Sequence, residues 1–480
     1  MSALLHTPVD EIPQIRETLK KTFRSGKARP LEWRRQQLYQ VARMARENEE
    51  AFMTAMGKDL GKPRMETWLG EIAGLIERTL KTAEALEEWA KPEHPEVADW
   101  QKPWRPTLYK TPKGVVLIIA PWNYPMILSL QPLIGAISAG CPAVVKPSEI
   151  APAYAQLLAE LMPKYLDPEA YRVVNGGVME TTKLLELQWD HIFYTGNGRV
   201  GRIIAAAAAK HLTPVTLELG GKSPVIIDGE CDIKIAAKRL LYGKCTNAGQ
   251  ICVCPDYVLI PEQKQDELVA ALKEHCASFF PEGPLNSESF GRIVNGQHYA
   301  RLMDMLRRTK GTIVLGGKSD GKLAVEPTVI KDVGEGDSLL EEEIFGPLLP
   351  IVPVKDLNEA INYVNSKDHP LVIYAFTEKQ EVKDRLIAET MSGNLVFNDT
   401  FQQLAVNEIP FGGIGESGYG YQIMKYSYDG FTHLRSSIDV PYDYEPHFAL
   451  RYPPYSEEKR KTIEAGMKLD IPKPAANGKL

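Results

Sequence analysis

From Val9 to Ala90 apolar residues recur at three- and four-residue spacing, and over Leu31–Met56 and Glu66–Trp89 the period predicts long helices. The period then stops. Pro92–Pro112 is rich in Pro and Trp and reads as a linker leading into an extended pair. Beyond it, short apolar runs alternate with helical stretches: Val115–Ala120, Ala143–Lys146, Tyr171–Val174, His191–Tyr194 and Val215–Leu219 are the expected strands. That alternation predicts a parallel sheet covered by helices. A second α/β block runs from about Gly220 to Gly418, with strands expected at Tyr257–Ile260, Thr312–Leu315, Leu349–Val352, Val372–Phe376 and Leu395–Asn398. Gly114–Gly140 is apolar enough to mimic a membrane span, but Pro121, Asn123 and Pro125 interrupt it. A strand, a turn and a helix over Met126–Ala139 are expected there instead.

A chain of 480 residues outgrows a single core, so two or three domains are expected. The formal net charge of −6 gives no electrostatic case for nucleic acid or an anionic membrane surface as partner. The cysteines Cys141, Cys231, Cys245, Cys252, Cys254 and Cys276 form no CxxC pair, which points to a reducing, cytoplasmic setting. No histidine pattern completes a zinc set around Cys245, Cys252 and Cys254, so no metal is expected. Met1–Lys20 carries charges where a signal peptide needs an apolar run. The tail after Tyr455 is polar and basic; its final Gly478-Lys-Leu480 is a weak match to a peroxisomal address, with an unusual first residue.

The candidate chemistry sits in two segments. Asn247-Ala-Gly-Gln-Ile-Cys252 places a cysteine two residues after Gly-Gln, and Leu217-Glu218-Leu-Gly-Gly-Lys222 places an acid in a Gly-rich turn. A thiolate adds readily to an aldehyde carbon, and a nearby carboxylate can take a proton from water. Gly196-Asn-Gly198-Arg-Val-Gly201 follows a predicted strand and opens an Ala-rich helix, Ile203–Lys210, as a dinucleotide-binding turn does. That fingerprint also expects an acid about twenty residues on, where Glu218 falls. The residues by themselves therefore leave Glu218 two roles, ribose ligand or base.

With Pro121-Trp-Asn123-Tyr-Pro125 and Glu343-Ile-Phe345-Gly-Pro347, these segments resemble the aldehyde dehydrogenase superfamily, over about residues 10 to 455. The closest resemblance is to the class 3 branch, which includes fatty aldehyde dehydrogenases. It implies an α/β fold with a Rossmann-type NAD(P)-binding domain (1–95 and 113–218), a catalytic domain (219–418), small oligomerisation strands (96–112 and 419–445) and a C-terminal tail (446–480). It implies Cys252 as nucleophile, with the Asn123 amide and the Cys252 backbone N–H as donors to the thiohemiacetal oxygen. It also decides between the roles of Glu218: ribose contacts fall to Lys146 and Glu149 of Lys146-Pro-Ser-Glu149, and Glu218 becomes the base that activates water against the thioester.

By the same resemblance Trp122, Gly196, Asn197, Gly201, Leu219, Glu343 and Phe345 complete the cofactor site, and Tyr124 and Phe411 line the aldehyde tunnel. Gly198 stands where the family commonly has Thr. The implied activity is NAD(P)-dependent oxidation of apolar aldehydes (long-chain aliphatic, apocarotenoid-like or aromatic), by a homodimer that prefers NAD and also accepts NADP. Alternatives are a semialdehyde-specific or acylating dehydrogenase, a thioesterase or esterase, and a catalytically silent scaffold. The tail shows no apolar anchor of the kind some fatty aldehyde dehydrogenases carry.

Overall fold

The N-terminal helical period resolves into Ile12–Ser25, Leu31–Glu47, Glu49–Leu60 and a continuous helical rod from Arg64 to Ala90. The stretch Leu31–Met56, expected as one helix, breaks at Asn48. There the side-chain amide donates to the Met44 carbonyl at 2.9 Å and to the Tyr165 hydroxyl at 3.0 Å, competing with the helical bonds as Asn does at helix ends. The rod holds a π turn over Trp68–Ala73.

The computed structural model describes residues 4–472, so Gly478–Leu480 lies outside the described residues. It divides into two units: the residues up to Trp89 with Thr111–His433, and Ala90–Lys110 with the chain from Leu434 onward. Strand β1 (Thr107–Pro112) comes first in the chain. The parallel strands of one sheet follow: β2 (Val116–Ile119), β3 (Ala143–Lys146), β4 (Tyr171–Val173), β5 (His191–Gly196) and β6 (Val215–Leu219). A second sheet takes β7 (Pro224–Ile227), β8 (Tyr257–Pro261), β9 (Thr312–Leu315), β10 (Thr328–Lys331), β11 (Leu348–Val354), β12 (Val372–Phe376) and β13 (Asn394–Phe397). Strand β14 (Gly418–Tyr419) returns to the first sheet, antiparallel to β6, and β15 (Thr432–Ser437) pairs with β1.

The strands β7, β10 and β14 go beyond those expected. The first two are four-residue runs, and the third is two residues long and defined only by its pairing with Leu217 and Glu218. Trp100–Trp104, expected as extended, is a 3-10 turn over Asp99–Trp104, in which Trp104 packs against the Trp100, Tyr444 and Phe448 rings. Within 419–445 the chain forms a helix at Lys425–Phe431 before β15 begins.

The first sheet is covered on both faces, which explains its near-continuous hydrophobic strands. Val116, Ile118, Ala143 and Val145 point into a core shared with the Leu31–Glu47, Glu49–Leu60 and Pro125–Ala139 helices. Their neighbours Leu117, Ile119 and Val144 point the other way, to Ile12, Ile15 and Leu19 and to Ile204 and Ala208. Strand order in this sheet is β14-β6-β5-β2-β3-β4, so the topology reverses between β2 and β5. Open α/β sheets bind ligands beyond the carboxyl ends of their strands at such a reversal.

Candidate active site

Four of those carboxyl ends deliver the expected residues: β2 leads to Trp122–Tyr124, β3 to Lys146–Glu149, β5 to Gly196–Gly201 and β6 to Glu218 and Leu219. The segment expected to carry the nucleophile comes from the second block. The Ile233–Cys245 helix ends, and Asn247, Ala248 and Gly249 then run left-handed, with φ of 50°, 51° and 74°. Only Gly suits the third position, because a Cβ there would collide with the Gly346 carbonyl.

Side chains on both sides hold this strained turn in place. The Asn247 backbone N–H donates to Glu66 Oε2 at 2.8 Å, and Asn247 Nδ2 donates to the Asn123 and Gln250 carbonyls at 3.0 and 3.1 Å. Gln250 Nε2 donates to the Asn247 and Arg292 carbonyls, both at 3.0 Å, and Gln250 Oε1 accepts from the Val294 N–H at 2.9 Å. Cys252, at the end of the turn, stays partly exposed. Cys254 is buried, with Lys244 Nζ 3.7 Å from its sulfur.

Asn123 is buried, and its amide donates to the Gln250 carbonyl at 3.0 Å. One N–H of that amide remains for another acceptor. Beside it, the Tyr124 ring lies 3.3 Å below Lys62 Nζ. Lys62 pairs with Glu71 at 2.6 Å, both side chains fully buried, and the second Glu71 oxygen accepts from the Met126 N–H at 2.8 Å in the first turn of the Pro125–Ala139 helix. Phe411 is buried and bridges to Gln422.

Glu218 is buried at the end of β6, and neither carboxylate oxygen has a hydrogen-bond partner. Burial holds its pKa well above the usual carboxylate range, with the Gln422 amide pulling the other way. Burial also pushes the Cys252 thiol up to about 12, helped by the negative charges of Glu343 and Glu218 and opposed by the N–H groups of Cys252 and Val253. The thiol therefore rests protonated at neutral pH and needs a change in its surroundings to attack.

The residues expected at the cofactor also gather here. Lys146 Nζ pairs with Glu149 Oε2 at 2.6 Å. The helix after β5 starts at Gly198, earlier than the expected Ile203, because Asn197 caps it by accepting from the Val200 N–H at 3.0 Å. A Cβ on Gly201 would come within 3.0 Å of Leu219. The Trp122 ring meets Phe345 edge-on at 5.4 Å and His298 at 5.2 Å. Glu343, its carboxyl pushed up to about 8 by burial and by Asp256, lies against Gly220, which has no room for a side chain.

Sequence reasoning missed Lys62, Glu66, Glu71 and Gln422. Lys62 lies in the turn before the Arg64–Ala90 rod and Glu66 and Glu71 lie on the rod, far in sequence from the site, and only their contacts reveal them. Gln250 and Asn247 were within the quoted motif, but nothing in the pattern showed that they pin it.

The family model described as "Aldehyde dehydrogenase family" matches residues 6–437. The chain is 44% identical over 447 residues to aldehyde dehydrogenase family 3 member A2 of Rattus norvegicus, covering 92% of this chain and 91% of the relative. It is 40% identical to the dimeric NADP-preferring aldehyde dehydrogenase of Canis lupus familiaris, covering 93% of this chain and 98% of that one. Among solved structures, the substrate-bound state of Staphylococcus aureus AldH superposes with a TM-score of 0.92 at 38% identity, covering 95% of this chain and 99% of the other.

Proposed function

Because the chain belongs to the aldehyde dehydrogenase family, we propose that its NAD(P)-dependent oxidation of aldehydes runs through Cys252, Asn123 and Glu218. Cys252 gives up its proton to solvent as Sγ adds to the aldehyde carbon, and the oxygen so formed takes hydrogen bonds from Asn123 Nδ2 and the Cys252 backbone N–H. Bound dinucleotide supplies the acceptor for the hydride. Glu218 then takes a proton from water, whose oxygen attacks the acyl carbon. The C–S bond breaks, the acid leaves, and the proton held by Glu218 returns to the sulfur, restoring both the thiol and the base.

The observation that carries this reading is Glu218 itself: a buried carboxyl with both oxygens unpartnered, whose charge is felt at the partly exposed Cys252. A ribose ligand would sit at the open rim of the cofactor cleft. Glu218→Gln should still release one NADH per site in a burst and then turn over slowly. Loss of NAD affinity with no burst would return Glu218 to the ribose.

Residues present fit a dinucleotide. The Thr195 hydroxyl at the carboxyl end of β5 is buried without a partner, and Asn197 caps the helix that opens beyond it, leaving the Gly-rich turn at a helix N-terminus. Lys146 and Glu149 would hold the ribose, Gly196, Asn197, Gly201 and Leu219 the pyrophosphate turn, and Trp122, Glu343 and Phe345 the nicotinamide end. The division proposed is a cofactor domain at 1–95 and 113–218 and a catalytic domain at 219–418, with bridging strands at 96–112 and 419–445 and a tail from 446.

The substrate we favour is an apolar aldehyde. Tyr124 and Phe411 supply rings, and Lys62, the cation nearest Tyr124, is already paired with Glu71. A panel of aliphatic, aromatic and carboxylated aldehydes followed by NADH absorbance tests this; preference for the carboxylated ones would favour a semialdehyde enzyme. We further propose a homodimer, supported by the dimeric relative; light scattering at micromolar concentration should give twice the chain mass. A cytoplasmic location agrees with six free cysteines. No described helix is long and apolar enough to cross a membrane.

A further inference from the structure

The rod from Arg64 to Ala90 is helical from end to end, but over Trp68–Ala73 its turn is π rather than α. Such turns are rare inside helices and concentrate at functional sites. Trp68 and Leu69 in this turn are exposed, so burial of their side chains does not explain it.

Two carboxylates bracket the extra residue: Glu66 lies just before the π turn, and Glu71 lies within it. In an α-helix of about 3.6 residues per turn, residues five apart point about 140° away from each other. A π turn bonds residues five apart, which brings such positions back toward one side. The contacts identify that side. Glu66 Oε2 accepts from the Asn247 N–H at 2.8 Å. Glu71 Oε2 accepts from the Met126 N–H at 2.8 Å and the Ile127 N–H at 3.4 Å.

Each carboxylate therefore meets a different turn of the site. Asn247 opens the left-handed run that leads to Cys252, and Met126 stands in the first helical turn after Asn123. The rod also comes close to the site between these two contacts. A Cβ on Gly70 would lie 3.2 Å from the Tyr124 ring, so glycine lets the π turn rest against that ring. Lys62 covers the same ring at 3.3 Å while it pairs with Glu71.

We propose that Glu66 is a positioning residue for the nucleophile, brought into reach of the Asn247 N–H by the π turn that also seats Glu71 at the Asn123 segment. This rests on Cys252 being the nucleophile and Asn123 the oxyanion donor. Glu66 touches no reacting atom and acts only through the turn. The Asn247 backbone has a φ of 50°, so losing its acceptor leaves a strained turn with an unpaired donor. A carboxyl oxygen accepts this bond whether or not the group is charged. Reach, rather than charge, is what the position requires.

The experiment compares Glu66→Gln, Glu66→Asp and Glu66→Met with the unaltered full chain in single-turnover NADH formation, enzyme in excess of aldehyde. NADH affinity is read alongside by fluorescence. Gln keeps the reach and drops the charge, Asp keeps the charge and drops the reach, and Met drops both. Asp and Met should slow the single turnover about ten- to a hundredfold with NADH affinity kept, because a misplaced reacting group carries factors of that size. Gln should restore the rate. Removal of Leu69, an exposed residue of the π turn, should rotate Glu66 away from Asn247 and slow the same step.

An Asp variant as fast as the unaltered chain, or a Gln variant as slow as Met, overturns the role of Glu66. So does a loss of NADH affinity that matches the loss of rate, which a general loosening of the fold would give. Should the Met or the shortened variant fail to fold, Asp against Gln decides by the same rate. Single-turnover NADH formation retained in Cys252→Ala would instead overturn the nucleophile assignment on which the proposal depends.

Discussion

Asn247 Nδ2 donates to the backbone carbonyl of Asn123 at 3.0 Å, tying the turn that carries the thiol to the turn that carries the amide. The Asn123 amide returns the link by donating to Gln250, which the same Asn247 side chain also contacts. The proposed nucleophile and oxyanion donor therefore sit on two segments linked by both side chains. Asn247 also tolerates its φ of 50° better than other side chains would.

Asn247→Gly should keep the left-handed backbone and lose the cross-links. We expect kcat to fall by about ten- to a hundredfold with little change in NAD affinity, since correct placement of reacting groups carries factors of that size. Asn123→Ala should cost about 10²–10³ in kcat, the usual loss for one oxyanion donor. Steady-state kinetics with a titration of NADH fluorescence separates the two quantities.

The thiol can be read without turnover. With its pKa pushed up to about 12 in the free protein, alkylation of Cys252 by iodoacetamide should climb steadily from pH 7 to pH 10 with no plateau. Glu343 contributes to that rise, but its own carboxyl is pushed up to about 8 and carries charge only above that pH. Glu343→Gln should therefore speed alkylation above about pH 8 and leave it unchanged below. Cys252→Ala should lose the labelled site and all dehydrogenase turnover while still binding NADH. Cys254→Ala, at a buried sulfur beside Lys244, should keep most activity.

Lys62 and Glu71 make a fully buried ion pair under Tyr124. Lys62→Met leaves the Glu71 carboxylate buried without its cation, and should destabilise the fold by roughly 3–5 kcal/mol. The double change Lys62→Met with Glu71→Leu should recover most of that loss, because both charges leave together. Urea denaturation of the three proteins measures the difference. No recovery in the double variant would show that the Glu71 contact to the Met126 N–H, rather than the pair, holds the helix start.

Much of this site was legible because its residues sit at strand ends, where a strand followed by a helix leaves a readable change of period. Asn123, Lys146 and Gly196 sit at such a change, while Glu218, inside β6, was legible from the Gly-Gly turn that follows it. What stayed hidden depends on contacts between distant segments. Gln422 belongs to a run whose only strand is two residues long, and Lys62 and Glu71 lie nine residues apart on either side of a helix start. The break at Asn48 was hidden for a different reason: the apolar spacing continues through it, while a side-chain amide ends the helix.

The cofactor preference we propose turns on Glu149, held to Lys146 at 2.6 Å. A carboxylate that accepts from ribose hydroxyls repels a 2′-phosphate, so NAD should be preferred. The preference should be partial, because the same lysine ammonium offsets some of that repulsion and the Glu149 side chain is 38% exposed. A contact between charges in such a partly wet site is worth about 1–3 kcal/mol, or about ten- to a hundredfold. Glu149→Gln should weaken NAD, free Lys146 to meet a phosphate, and shift the NAD/NADP ratio of kcat/KM by a factor in that range. An unchanged ratio would mean that Glu149 does not reach the ribose, and the turn at Gly196–Gly201 with Glu218 would then need to be tested as an ordinary dinucleotide site.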